Sequence, residues 1–105
     1  MELTAAEVAF LRSQRIGRLA TVSARGWPHV MPVMYLLGED GSLEFDADGV
    51  KLRNIENSGR AAITVDAIGP KRGIALQGSC AVVGPERARL TPNHRFSWGL
   101  EPGPD

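Results

Sequence analysis

The stretch Leu43 to Asp66, LEFDADGVKLRNIENSGRAAITVD, changes its apolar period twice, so no single regular element can accommodate it. Leu43, Phe45 and Ala47 alternate with Glu44 and Asp46, the two-residue period of a half-buried strand. Asp48-Gly49 breaks the strand. From Val50 the apolar positions Val50, Leu52 and Ile55 stop alternating and Asn57-Ser58-Gly59 supplies an ending, which predicts a helix of about two turns. Arg60 to Asp66 then returns to a β-like run. The first turn of this helix is charged in an unexpected sense. A helix amino end carries unpaired N–H groups and the positive pole of the macrodipole, yet Lys51 and Arg53 stand there with Asn54 beside them. A bound phosphate would satisfy the N–H groups, the dipole and both cations together. A solvated face, with the cations paired to Glu56 or Asp48, accounts for the same spacing, and spacing alone leaves both readings open.

The rest of the chain supplies the elements around this centre. Thr4 and Glu7 form a capping box that starts a helix running to about Ser13, with Leu3 placed to staple against Val8 and with Val8, Leu11 and Phe10 toward the body. Ile16 to Val22 reads as the first strand. Arg18 shares a face with Ile16, Ala20 and Val22 and calls for a counter-ion, with a protein carboxylate favoured over a ligand anion. Ser23-Ala24-Arg25-Gly26 turns the chain into a second strand, Trp27 to Leu37. Pro28 and Pro32 cannot donate to a ladder, so this strand should be an edge or carry a bulge, leaving backbone groups free for a flat heteroaromatic ring or simply protecting the edge. Gly73 to Val83 is a long strand with a bend expected at Gly78. Glu86 to Leu90 is allotted at most one helical turn, Asn93 to Trp98 a last strand, and residues 101–105 a flexible tail after a single domain spanning 1–100. About six strands, two short helices and hairpin-length connections predict a mainly β, antiparallel barrel with helices at its openings.

Several function classes are disfavoured on composition and motif. Lys plus Arg and Asp plus Glu number 12 each, a balance that argues against nucleic acid or a membrane surface as partner. No apolar run approaches the roughly 20 residues of a membrane span, and Met1-Glu2-Leu3-Thr4 does not read as a secretory signal, so a cytoplasmic protein is expected. The lone Cys80 and the isolated His29 and His94 make a structural metal improbable. G-x-G-x-x-G after a strand, the P-loop and G-x-S-x-G are all missing. With 105 residues the chain buries only about two-thirds of its unfolded surface, so a partner subunit would help it.

Five pieces in order, IGRLATV, WPHVMPV, KLRNIENSGRAAITVD, RGIALQGSCAVV and HRFSWGLEP, resemble the pyridoxamine 5′-phosphate oxidase-like flavin-binding split barrels, most of all the actinobacterial branch that uses the deazaflavin coenzyme F-420. The resemblance covers most of Leu3 to Pro102. It implies a six-stranded split β-barrel and a homodimer with cofactor sites in the grooves between subunits. By that analogy Lys51 and Asn54, with Arg53 as a further candidate, hold the cofactor phosphate. Val30, Met31, Pro32 and Val33 would lie along the ring through backbone contacts, with Thr21, Asp46 and Ala47 nearby and Trp98 from close to the subunit junction. The implied function is hydride transfer between coenzyme F-420 and a small organic substrate. Alternatives on the same scaffold are an FMN-dependent reductase or oxidase, or a non-catalytic flavin- or haem-binding protein. An acidic deazaflavin tail would welcome Arg60, Lys71 or Arg72. Tyr35, His29 and His94 are conceivable proton donors, though a packed tyrosine and surface histidines describe them equally well, and no catalytic residue is assigned. The chain departs from the family in having only Gly84 to Pro92 where relatives carry a longer insertion, and Ser58-Gly59 where they have asparagine-proline.

Overall fold

The computed structural model describes residues 1–100, and the tail expected at 101–105 lies outside them. The elements follow as α1 (Ala5–Ser13), β1 (Ile16–Val22), β2 (Pro28–Leu37), β3 (Leu43–Asp46), α2 (Gly49–Ser58), β4 (Arg60–Ala67), β5 (Arg72–Gly84) and β6 (Arg87–Trp98). Every neighbouring pair is antiparallel, and the sheet closes in the order β1-β2-β3-β6-β5-β4. The mainly β, six-stranded barrel with two helices read from the sequence is therefore the fold observed. Among the described residues no helix is long and apolar enough to cross a membrane.

The two-residue period of each strand decides what lies inside. Leu19, Val33, Tyr35, Leu43, Phe45, Ile63, Val65, Ile74, Leu76, Ala88 and Leu90 point inward and are buried. Phe10 and Leu11 of α1 close the end where β1 starts, and Ile55 of α2 joins the same core from the end where β1 finishes. The capping box at Thr4 and Glu7 forms as expected, but Glu7 itself turns inward and Val8 stays half-buried. Arg18 lies on the outer face, where its guanidinium pairs with Asp66 at 2.7 Å, the carboxylate partner favoured above.

Three expectations need correction. The helical turn allotted to Glu86 to Leu90 does not form: β6 starts at Arg87 and pairs with both β3 and β5. These residues are good helix formers, but Glu44 on β3 binds Arg87 at 3.4 Å and Arg89 at 2.7 Å, and tertiary pairing overrides local propensity. α2 is longer than two turns, running ten residues to a left-handed Gly59 whose N–H donates to the Ile55 carbonyl at 2.8 Å. The second strand begins at Pro28, leaving Trp27 in the turn.

The bend expected at Gly78 is present as a register shift between β5 and β6, where a Cβ at this position would collide with the Thr91 carbonyl. The prolines of β2 also find their reason. β2 pairs with β1 along Pro28–Met34 but meets β3 only at Tyr35–Leu37, so the first half of β2 has one open edge. The Tyr35 N–H donates to the Arg15 carbonyl at 3.3 Å, which by strict alternation turns the backbone groups of 29, 31 and 33 toward β1 and those of 28, 30, 32 and 34 toward the opening. Pro28 and Pro32 thus stand where an N–H would have had no partner.

Candidate functional site

The open edge of β2 forms one wall of a cleft of about 430 Å³, lined by Pro32, Val33, Met34, Asp46, Ala47, Asp48, Lys51, Pro85 and Glu86. Its floor is the β3–α2 junction. The tip of the β5–β6 hairpin folds onto that junction, where the Ala47 N–H donates to the Glu86 carbonyl at 2.9 Å and Glu86 adopts a left-handed φ of 52°. The tight hairpin at Gly84–Arg87 thus walls the cleft.

Lys51 enters the cleft from the first turn of α2, with only 14% of its side chain exposed. Its ammonium is 2.9 Å from the Asp48 carboxylate, and this bond pulls the Asp48 carboxyl below the usual carboxylate range. Asp48 is the N-cap residue, yet its side chain makes no hydrogen bond to the helix N–H groups, and no acidic residue follows in the first turn. The positive pole of α2 therefore stays open beside a lysine. Asp46 is engaged by Arg87 at 2.9 Å, while Glu86 has no ion-pair partner among the described residues.

The cleft brings together Pro32, Val33, Asp46, Ala47 and Lys51 of the residues expected at the site. Val33 is buried, so only its backbone is available to a ligand, while Val30 and Met31 lie exposed further along β2. Arg53 is exposed on α2. Asn54 does not face the cleft entrance: its buried side-chain amide donates to the Thr21 hydroxyl at 3.0 Å, bridging α2 to β1. Trp98 lies at the far end of β6, covering Gly73, with its ring 5.7 Å from that of Phe96. A single chain does not bring Trp98 to the cleft.

Of the residues considered as proton donors, Tyr35 is committed elsewhere. Its buried hydroxyl donates to the Leu11 carbonyl at 2.6 Å, and burial pushes its pKa up to about 12. His94 is exposed beside Asn93, and His29 carries a buried Nδ1 without a hydrogen-bond partner among the described residues. Arg72 is also occupied, donating to the Pro70 carbonyl and lying over the Phe10 ring. The sequence reading passed over Met34, Asp48, Pro85 and Glu86 as cleft residues. Asp48-Gly49 and Gly84-Pro85 were legible as breaks, but nothing local shows that one break folds against the other.

Comparisons with known proteins agree with this fold. Residues 3–96 match the family profile described as pyridoxamine 5′-phosphate oxidase. The chain is 31% identical to the 5a,11a-dehydrotetracycline/5a,11a-dehydrooxytetracycline reductase of Streptomyces rimosus, over 96% of this chain and 86% of that protein. Among solved structures, HutZ, the haem storage protein of Vibrio cholerae, superposes with a TM-score of 0.76 at 16% identity, covering 95% of this chain and 97% of HutZ. A FAD-binding protein of Mesorhizobium loti superposes with a TM-score of 0.75 at 18% identity, over 90% and 93% of the two chains. With a closed antiparallel barrel, the split at β2 and a matching profile along nearly its whole length, the chain belongs to the pyridoxamine 5′-phosphate oxidase family of split-barrel proteins.

Proposed function

We propose that the protein is a cytoplasmic oxidoreductase that takes coenzyme F-420, or alternatively FMN, and reduces a small organic molecule. The observation that carries this reading is the open edge of β2 facing the uncapped amino end of α2, with Lys51 between them. A ring laid along Val30–Met34 finds the free carbonyls of Val30 and Pro32 and the N–H groups of Val30 and Met34. Its phosphate would take the first-turn N–H groups of α2 and the Lys51 ammonium. When bound, such a cofactor supplies hydride chemistry. The chain's own part is to hold the ring against β2, anchor the phosphate and keep water from the ring face that meets substrate. The 31% identity to a reductase that acts on a dehydrotetracycline favours reduction of an activated double bond.

The site is proposed to be completed in a homodimer. Ile16, Val30, Met34 and Leu36 form an exposed apolar row on the outer face of β1 and β2, with 51%, 60%, 67% and 67% of their surface open. A row of this kind fits burial by a second copy. Purified protein is to be titrated calorimetrically with F-420 and with FMN, then assayed with reduced cofactor. Lys51→Ala should weaken either cofactor by about one to two orders of magnitude, the worth of a charge-assisted contact. Unchanged affinity removes Lys51 from the phosphate site.

A non-catalytic flavin- or haem-binding role is favoured by a different observation, the shortness of the Gly84–Arg87 hairpin beside the cleft. Tight cofactor binding without reduction of any compound in a broad panel would decide for it.

A further inference from the structure

A groove of about 870 Å³, larger than the cleft at Lys51, lies on the outer face of β1, β4, β5 and β6, and its volume is typical of small-molecule sites. Its shape follows from residue size. Ala20 and Ala62 are direct cross-strand partners and leave the centre of the face low, while Arg60, Gln77 and His94 stand around it. The register shift at Gly78 sits beside this face, with the Gly78 backbone packed against Thr91. The α2–β4 junction that presents Arg60 is fixed by the left-handed cap at Gly59 and by the Cys80 N–H donating to the Gly59 carbonyl at 2.8 Å.

Charge separates this groove from the cleft. The cleft carries Asp46, Asp48 and Glu86 beside Lys51, whereas no carboxylate lines the groove, and its only ionisable side chains are Arg60 and His94. Arg60 makes no side-chain hydrogen bond or ion pair among the described residues, in contrast to Arg18, Arg87, Arg89 and Arg95. We propose that the groove is a binding site for organic anions with a flat apolar body, whose ring system rests on Ala20, Val22 and Ala62 and whose carboxylate is held by the Arg60 guanidinium. A planar guanidinium suits a carboxylate through paired N–H bonds, and the low floor admits a ring that taller side chains would exclude. The site lies at the carboxyl end of α2 and Lys51 at its amino end, so it does not depend on a coenzyme being held at Lys51.

Calorimetric titration of the full chain with naphthoate and with its uncharged amide tests this. The expected result is naphthoate binding at least about tenfold more tightly than the amide. Arg60→Gln should abolish that preference, and Gln77→Trp, which raises the groove wall from an exposed position, should weaken both ligands. Lys51→Ala should change neither, which separates this test from that of the coenzyme site. Circular dichroism checks that each variant remains folded, and Ala62→Leu serves as a second blocking variant. Equal affinity for the two ligands, no binding of either, or a naphthoate preference that survives Arg60→Gln overturns the proposal. So does naphthoate binding that appears only when dimers are dissociated, since the groove would then be covered by a second copy.

Discussion

Glu7→Ala should be among the most damaging single changes in α1, because one buried carboxylate holds three things. Glu7 is 3% exposed and accepts from the Thr4 N–H at 2.8 Å, from Arg95 Nε at 3.0 Å and from the Ser97 hydroxyl at 2.9 Å. Loss of the acceptor for the Thr4 N–H, the Glu7 half of the capping box, costs about 1 kcal/mol. The charge-assisted bond to Arg95 would be worth about 1.5–3 kcal/mol if fully buried, and about 1 because Arg95 is one-third exposed. The orphaned Ser97 hydroxyl adds about 1 kcal/mol, for a total of about 3. At this chain length the melting temperature should fall by about 12 °C or more. Glu7→Gln keeps the capping box and the Ser97 contact but loses the charge, so it should cost only about 1 kcal/mol.

The pH dependence carries a sign of its own. Burial alone raises the Glu7 pKa, but the bonds from Thr4, Ser97 and Arg95 outweigh it and hold the carboxyl below its ordinary value of 4.5. A depressed folded-state pKa means that the stabilisation is complete above pH 4.5 and is lost as pH falls through the folded value. Urea denaturation followed by circular dichroism should therefore show the gap between wild type and Glu7→Gln closing below pH 4.5. A Glu7→Ala loss under about 1 kcal/mol, or a gap that widens in acid, would refute the reasoning. Because Ser97 adjoins Trp98, the fluorescence of Trp98 should shift in Glu7→Ala, best read in a Trp27→Phe background.

Asp48→Asn removes the carboxylate that competes for Lys51, and calorimetry should find phosphate-bearing cofactors bound about three- to tenfold more tightly. Tyr35→Phe should lower stability by about 1–2 kcal/mol, through the orphaned Leu11 carbonyl, while leaving any reductase kcat unchanged. Gly78→Ala should cost about 2–3 kcal/mol in a denaturant titration, since its Cβ would meet the Thr91 carbonyl, a backbone atom that cannot swing aside.

Alternation and punctuation in the chain were sufficient to give the strand count, both helices, the capping box at Thr4 and the bend at Gly78, because those signals act over a few residues. The prolines at 28 and 32 even marked which strand would lack a neighbour. Local sequence also placed Lys51 in the first turn of that helix, and the structure adds that Asp48 leaves the turn without a side-chain cap. What it could not contain were the contacts that join distant segments. Asn54 stands beside Lys51 in the sequence, yet its amide is spent on Thr21, thirty-three positions away. Asp48, three positions from Lys51, captures it, while Glu56, five positions away, makes no ion pair with it. The Gly84–Arg87 hairpin becomes a cleft wall only because the barrel closes and sets Glu86 against Ala47. Likewise the groove at Arg60 exists because strand register aligns Ala20 with Ala62, and register is a property of the closed sheet rather than of any one strand.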